Sequence, residues 1–145
     1  MARLRLIGAT GASAPPGGHY SHAVVAGGFV YVSGQLPLRP DGTRDPSLPF
    51  GDQSRQVLAN VRAALEAAGA RLQDVVKVTV YVASIEGWAE FNAAYAEMFG
   101  EHRPARAVVP VGPLHYGFAV EVDAVAFIGA EREAALDAGS PAPKR

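Results

Sequence analysis

Two charged residues inside apolar strand patterns constrain this chain more than any other feature. The stretch Pro104-Ala105-Arg106-Ala107-Val108-Val109-Pro110 and the run Phe118-Ala119-Val120-Glu121-Val122-Asp123-Ala124-Val125-Ala126 are both apolar and rich in β-branched residues. Both therefore read as strands of a core. Arg106 opens the first and Glu121 interrupts the second. A charge among Val and Ala is strongly destabilising unless it is paired or meets water in a cavity. Two such charges on neighbouring strand patterns point to a small polar pocket or to a structural Arg–Glu ion pair, and the pattern alone leaves both open.

Strand alternation places Phe118, Val120, Val122, Ala124, Ala126 and Ile128 on one face, all apolar. Ala119, Glu121, Asp123, Val125 and Phe127 fall on the other. The first face is expected to pack on helices. The second must meet a cavity, solvent or another subunit.

The rest of the chain supplies those helices. Leu4 to Ile7 reads as a short first strand, and Gly8 to Gly18 as loop. Ala23-Val24-Val25, the turn Gly27-Gly28 and Phe29 to Gln35 read as a hairpin, followed by a long loop from Pro37 to Phe50. Asp52 is the expected N-cap of a first helix. Its stripe is Val57, Val61, Ala64, Leu65 and Ala68, with Gly69 at the C-terminal stop. Val75 to Val82 is the strongest strand, with Val76, Val78, Val80 and Val82 on one face and Lys77, Thr79 and Tyr81 on the other. Ser84 is the expected cap of a second helix, whose aromatic stripe Trp88, Phe91, Tyr95 and Phe99 ends at Gly100. Two helical stripes need one sheet face to cover, so an α+β sandwich is expected with both helices on one side. The other face would carry Arg106, Glu121, Asp123, Thr79 and Tyr81. A half-apolar, uncovered face of that kind marks an oligomer interface.

Length and charge narrow the function. At 145 residues the chain fits one domain, expected over residues 1–129, with residues 130–145 a frayed tail that has room for one helical turn at its start. The formal net charge is −1 and no basic run occurs, which argues against a nucleic-acid backbone as the main partner. Cysteine is absent, which removes disulfides, thiolate metal sites and thiol catalysis. Neither a signal peptide nor a run of ~20 apolar residues is evident, so a soluble, cytoplasmic protein is expected with no membrane partner. His19, His22, His102 and His115 form no helical pair with a third ligand in view, so no metal site is expected.

At this point the residues resemble a known family. Tyr20-Ser21 before a strand, Ser33-Gly34-Gln35 at the end of the next, Val76 to Val80, and Phe91-Asn92 with Tyr95 are similar to Rid proteins, also called the YjgF or L-PSP endoribonuclease family. Pro104-Ala105-Arg106 and Val120-Glu121-Val122-Asp123-Ala124 match that family's two site-bearing motifs. The resemblance runs from about Tyr20 to Ala126. It implies a chorismate-mutase-like α+β fold, assembled as a homotrimer around a central barrel, with ligand pockets between subunits. It also implies hydrolysis of reactive 2-imino and 2-enamino acids to keto acids and ammonia, without metal or organic cofactor. Some relatives bind ligand or act as chaperones without catalysis, and the family's other name implies action on RNA.

The resemblance assigns roles by position. Arg106 would bind the substrate carboxylate, Glu121 would activate water, and Tyr20 would wall the pocket. Ser33, Gly34, Asn92 and the backbone at Val108 would meet the ligand, and His115 stands where it would line or reshape the pocket. Each has a plainer reading: a strand-end salt bridge for Arg106, a buried ion-pair partner for Glu121, a loop residue covering the core for Tyr20, a strand-end turn for Ser33-Gly34, a surface helix residue for Asn92. Departures from the family pattern are His19 for a common Pro, His22 for a common Gln, Val108 for a frequent Cys, and His115-Tyr116-Gly117 for Pro-Lys-Gly. They bear on substrate preference.

Overall fold

A computed structural model of the chain describes residues 3–8 and 10–139. The β-branched runs form six strands: β1 Arg5–Ile7, β2 Ala23–Ala26, β3 Phe29–Gln35, β4 Val75–Val82, β5 Ala105–Pro110 and β6 Val120–Phe127. They make one mixed sheet in the order β1-β2-β3-β6-β4-β5. The pairs are antiparallel except β4 with β5, which is parallel. A parallel pair needs a crossover, and α2 (Trp88–Phe99) supplies it. The longer α1 (Phe50–Ala67) joins β3 to β4. At the β2–β3 turn Gly27 and Gly28 both take positive φ, the backbone twist that a tight hairpin demands.

Both helices lie on one sheet face, as expected. Val57, Val61 and Leu65 of α1 and Phe91, Tyr95 and Phe99 of α2 are buried with Val30, Val32, Val78, Val80, Val122 and Ala124. Removing a fully buried ring such as Phe91 costs about 3–5 kcal/mol. Two buried polar side chains on α1 hold the long loop that precedes it. Asn60 donates to the carbonyls of Leu36 and Leu38, and Gln53 donates to those of Pro46 and Leu48 while accepting from the Ala119 amide.

Local details depart from the sequence expectation for identifiable reasons. The first helix begins at Phe50 behind Pro49, so Asp52 sits inside the first turn and pairs with Arg55. Ser84 accepts from the Glu86 amide and caps the short 3-10 turn Ile85–Gly87, while Gly87 stands before α2. A bulge between Val75 and Lys77 turns Val76 outward, and Val75 takes its place in the core. Trp88 leaves the aromatic stripe and is 42% exposed, because it stands at the first position of α2 where the helix clears the sheet.

The larger correction concerns the sheet faces. β5 pairs with β4 in the register Val78↔Arg106 and Val80↔Val108, so Arg106 lies on the helix-covered face with Val78 and Val80. Glu121 pairs with Tyr81, and Asp123 with Thr79, on the opposite face. The two charges expected on one face are therefore divided between two, with β4 between their strands. β5 is also an edge strand with partly exposed residues rather than a core strand. Side-chain alternation held along β6 and, past the Val75–Lys77 bulge, along β4; the parallel register that sets one strand's phase against another's was not visible in it.

Among the described residues nothing covers the face opposite the helices. Phe29, Tyr31 and Phe127 are exposed there, with Phe29 and Phe127 in ring contact at 5.0 Å.

Ala130–Ala138 forms a helix, α3, where a frayed tail was expected. It is anchored by charge. Arg132 donates to both Asp74 oxygens and to the Gly69 carbonyl, and Glu133 is buried and accepts from the Gly28 amide. Residues 140–145 of the expected tail lie outside the described residues. Among the described residues no helix is long and apolar enough to cross a membrane.

Candidate active site

The predicted site residues fall into two groups. The first is built where α2 crosses the edge strand β5. Arg106 Nη1 donates to Asn92 Oδ1 at 3.0 Å. Its Cζ lies 4.6 Å from the centroid of the Tyr95 ring and 5.9 Å from that of Trp88. Asn92 and Tyr95 are neighbours on one helical face because they are three residues apart, and Trp88 stands four before Asn92. The guanidinium is thus gripped on its Nη1 side, while Nε and Nη2 have no hydrogen-bond partner among the described residues. Val108 follows on the same face and packs against the core. Burial pushes the Tyr95 hydroxyl up to about 12, against the pull of Arg106, so it stays protonated. Beside Arg106 opens a cleft of about 430 Å³, lined by Asn92, Tyr95, Phe99, His102, Arg103 and Arg106 among others.

The second group gathers on the open face. Ser33 and Gly34 form the irregularity in the β3–β6 ladder, between the pairs Val32↔Ala124 and Gln35↔Val122. That kink brings the Gly34 backbone onto the Glu121 carboxyl. A Cβ on Gly34 would lie 3.1 Å from Glu121 Cδ, so only glycine fits without displacing the acid. Ser33 donates its hydroxyl to the Ser21 carbonyl at 2.6 Å, which ties the bulge to the loop carrying Tyr20. Tyr20 is half exposed, and its hydroxyl accepts from the Gly17 amide. Burial pushes the Glu121 carboxyl up; His115 pulls it down and Asp123 adds to the rise. Asp123 itself accepts from the Tyr81 hydroxyl at 2.9 Å.

The structure therefore brings Arg106, Asn92 and Val108 together, and brings Glu121, Gly34 and His115 together with Ser33 and Tyr20 behind them. It does not join the two groups within one chain, and among the described residues no ion pair links Arg106 to Glu121. The contributions of Tyr95 and Trp88 beside Arg106 were missed in the sequence. Tyr95 and Trp88 were read as core, although their offsets from Asn92 predict the contact. Tyr116 takes a left-handed φ of 61°, uncommon for an aromatic residue. Arg44 lies 4.0 Å over its ring, which holds the turn that presents His115. No group of His, Asp or Glu able to hold a metal occurs among the described residues.

A family model described as endoribonuclease L-PSP matches residues 11–128. The chain belongs to that family. A RutC family protein of Pyrococcus horikoshii is 45% identical over 112 residues, covering 77% of this chain and 89% of that one. The 2-iminobutanoate/2-iminopropanoate deaminase of Escherichia coli K12 is 38% identical over 112 residues, covering 75% and 87%. The crystal structure of E. coli TdcF with bound serine superposes with a TM-score of 0.77 at 32% identity, over 85% of this chain and 98% of that one. The mixed sheet with helices on one face is thus the architecture of an L-PSP family protein, and the family match ends just before α3 begins.

Proposed function

We propose that this L-PSP family chain is a hydrolytic deaminase of 2-imino and 2-enamino acids, working as a homotrimer whose sites lie between copies. One observation carries the reading: an arginine fork at a sheet edge and a desolvated carboxylate on an uncovered sheet face, complementary in chemistry and separated within the chain. A second copy laid against the open face supplies what each half lacks. The 38% identity to an imine deaminase favours the same chemistry, and a related protein holds an amino acid.

Arg106 presents Nε and Nη2 to the substrate carboxylate as two parallel donors, about twice as strong as neutral hydrogen bonds. Asn92 and Tyr95 fix the fork in advance, so little freedom is lost on binding. The neighbouring copy's Glu121 takes a proton from water as the water oxygen bonds to the imine carbon. Starting from the protonated imine this gives a neutral carbinolamine; Glu121 returns the proton to its nitrogen, the carbon–nitrogen bond breaks, and the hydroxyl proton passes to Glu121 as the carbonyl forms. One water is consumed, and a 2-keto acid and ammonia leave. Burial raises Glu121 from a weak base toward a useful one. Gly34 sets the carboxyl's position, Ser33 braces Gly34, and Tyr20 and His115 form the rim. Val108 offers the ligand its backbone.

The test feeds freshly generated 2-aminoacrylate to the protein, with lactate dehydrogenase reading the pyruvate formed. Wild type is expected to accelerate pyruvate release over buffer, and Arg106→Ala and Glu121→Gln to abolish the acceleration. A wild-type rate equal to buffer across several side-chain types would overturn the proposal.

A further inference from the structure

The cleft beside Arg106 is larger and more positive than a three- or four-carbon imino acid requires. Its volume of about 430 Å³ falls within the roughly 300–1,000 Å³ that drug-sized ligands fill. Among the described residues its lining holds two guanidiniums, Arg103 and Arg106, and no carboxylate. Tyr95 and Phe99 form an aromatic wall, and the Phe99 ring lies 4.5 Å from that of Tyr95. The one imidazole in the lining, His102, is committed to the Val75 carbonyl at 2.8 Å.

Five of the ten arginines among the described residues are engaged by acids, and Arg103 is not one of them. Arg5, Arg55, Arg62, Arg71 and Arg132 each pair with a carboxylate. Arg103 has neither an ion pair nor a hydrogen bond among the described residues, and it stands exposed at the cleft. Three residues of extended chain place its Cα at most about 10 Å from that of Arg106. Both guanidiniums border the same cleft, so a short diacid lying along it can place a carboxylate at each.

We infer that Arg103 forms a second anion subsite, and that the cleft selects 2-imino acids carrying a distal carboxylate on a two-carbon spacer. The inference rests on the proposed role of Arg106 as the holder of the first carboxylate. Arg106 takes the carboxylate next to the imine carbon, the methylene spacer lies on Tyr95 and Phe99, and Arg103 closes on the far carboxylate. Hydrolysis of such a substrate, 2-iminoglutarate, consumes one water and releases 2-oxoglutarate and ammonia. The class of reaction that supplies it is the oxidation of glutamate at its α-carbon.

The experiment compares binding of 2-oxoglutarate and 2-oxobutanoate to the full chain by calorimetry, for wild type, Arg103→Gln and Arg103→Lys. Wild type is expected to bind the diacid about fivefold or more tightly than the monoacid, a preference that shrinks with added salt. Arg103→Gln should bring the ratio close to one, and Arg103→Lys should restore part of it. A wild-type ratio near one, or a ratio that Arg103→Gln does not move, overturns the inference. A preference for an aromatic keto acid over the diacid overturns it as well. Turnover of 2-iminobutanoate is scored separately. A chain that hydrolyses it without an Arg103-dependent preference keeps the proposed reaction and loses the subsite; a chain with the preference and no turnover does the reverse.

Discussion

Arg106 and Glu121 are held in opposite ways. The arginine is fixed by side chains: Asn92 bonds one end, and the rings of Tyr95 and Trp88 lie beneath the guanidinium. The glutamate has no hydrogen-bond partner among the described residues and is placed by shape, on the bare backbone of Gly34. A locked guanidinium suits a binding group, because a fixed fork meets a planar carboxylate with little entropy loss. A carboxylate left without donors suits a proton carrier, because each hydrogen bond to its charged form would lower its basicity. The chain thus separates grip from chemistry on two faces of one sheet, and on the proposed reading only assembly reunites them.

The sharpest test of that division mixes two inactive variants. Arg106→Ala and Glu121→Gln are each expected to lose about 10²–10⁴ in kcat/KM. Co-refolded in equal amounts, they should regain roughly a quarter of the wild-type rate, since one interface in four then joins an intact arginine to an intact glutamate. No recovery would place both groups in the same chain's site and end the inter-copy reading.

Gly34→Ala tests the shape argument. The added methyl displaces the Glu121 carboxyl, and small misplacements of a reacting group cost about ten- to a hundredfold. The loss should appear in kcat, with keto-acid affinity nearly kept, because the arginine half is untouched. An equal loss of affinity would show that the two halves are coupled.

The sheet was legible because its strands are β-branched and its helices carry clean stripes. The site was legible only in part. Arg106 and Glu121 stood out as charges in apolar runs, and that signal is local. Their division between two faces depends on the register Val78↔Arg106, a parallel pairing formed across a helix and beyond the reach of alternation. The Gly34 contact depends on a bulge, which alternation misses because it inserts a residue. α3 went unread because it is held mainly by charges, Arg132 on distant Asp74, Glu133 on the Gly28 amide and Asp137 on Arg5, with Leu136 packed on the core in place of an apolar stripe.

That anchor supplies a control for both halves. Burial pushes the Asp74 carboxyl up, but hydrogen bonds from Arg132 and Arg71 outweigh it and hold the group well below the usual carboxylate range. A depressed carboxyl stabilises the fold above its unfolded value, ~3.9, and that contribution is lost as pH falls further. Arg132→Ala should therefore lower stability by about 1–2 kcal/mol at neutral pH, with the deficit shrinking in acid. Denaturant unfolding at several pH values reads it. Activity per folded molecule should not change, since Arg132 touches neither half.

The smallest expected effect concerns the electrostatics of Glu121 alone. Burial raises its carboxyl above the ordinary value, His115 lowers it and Asp123 raises it. The base form is lost as pH falls through that raised value, which sets the acid limb of kcat/KM. Replacing His115 with Gln removes the neighbour that lowers the carboxyl, so the limb should move to higher pH. Asp123→Asn removes an anionic neighbour, so the limb should move lower. The same sign governs stability: a raised carboxyl weakens the fold once pH exceeds its unfolded value, so Glu121→Gln should unfold at higher denaturant than wild type at neutral pH. Arg106→Gln should leave the folded chain without that gain. If the limb stays fixed in both His115→Gln and Asp123→Asn, the titrating group is not Glu121, and the division between grip and chemistry loses its second half.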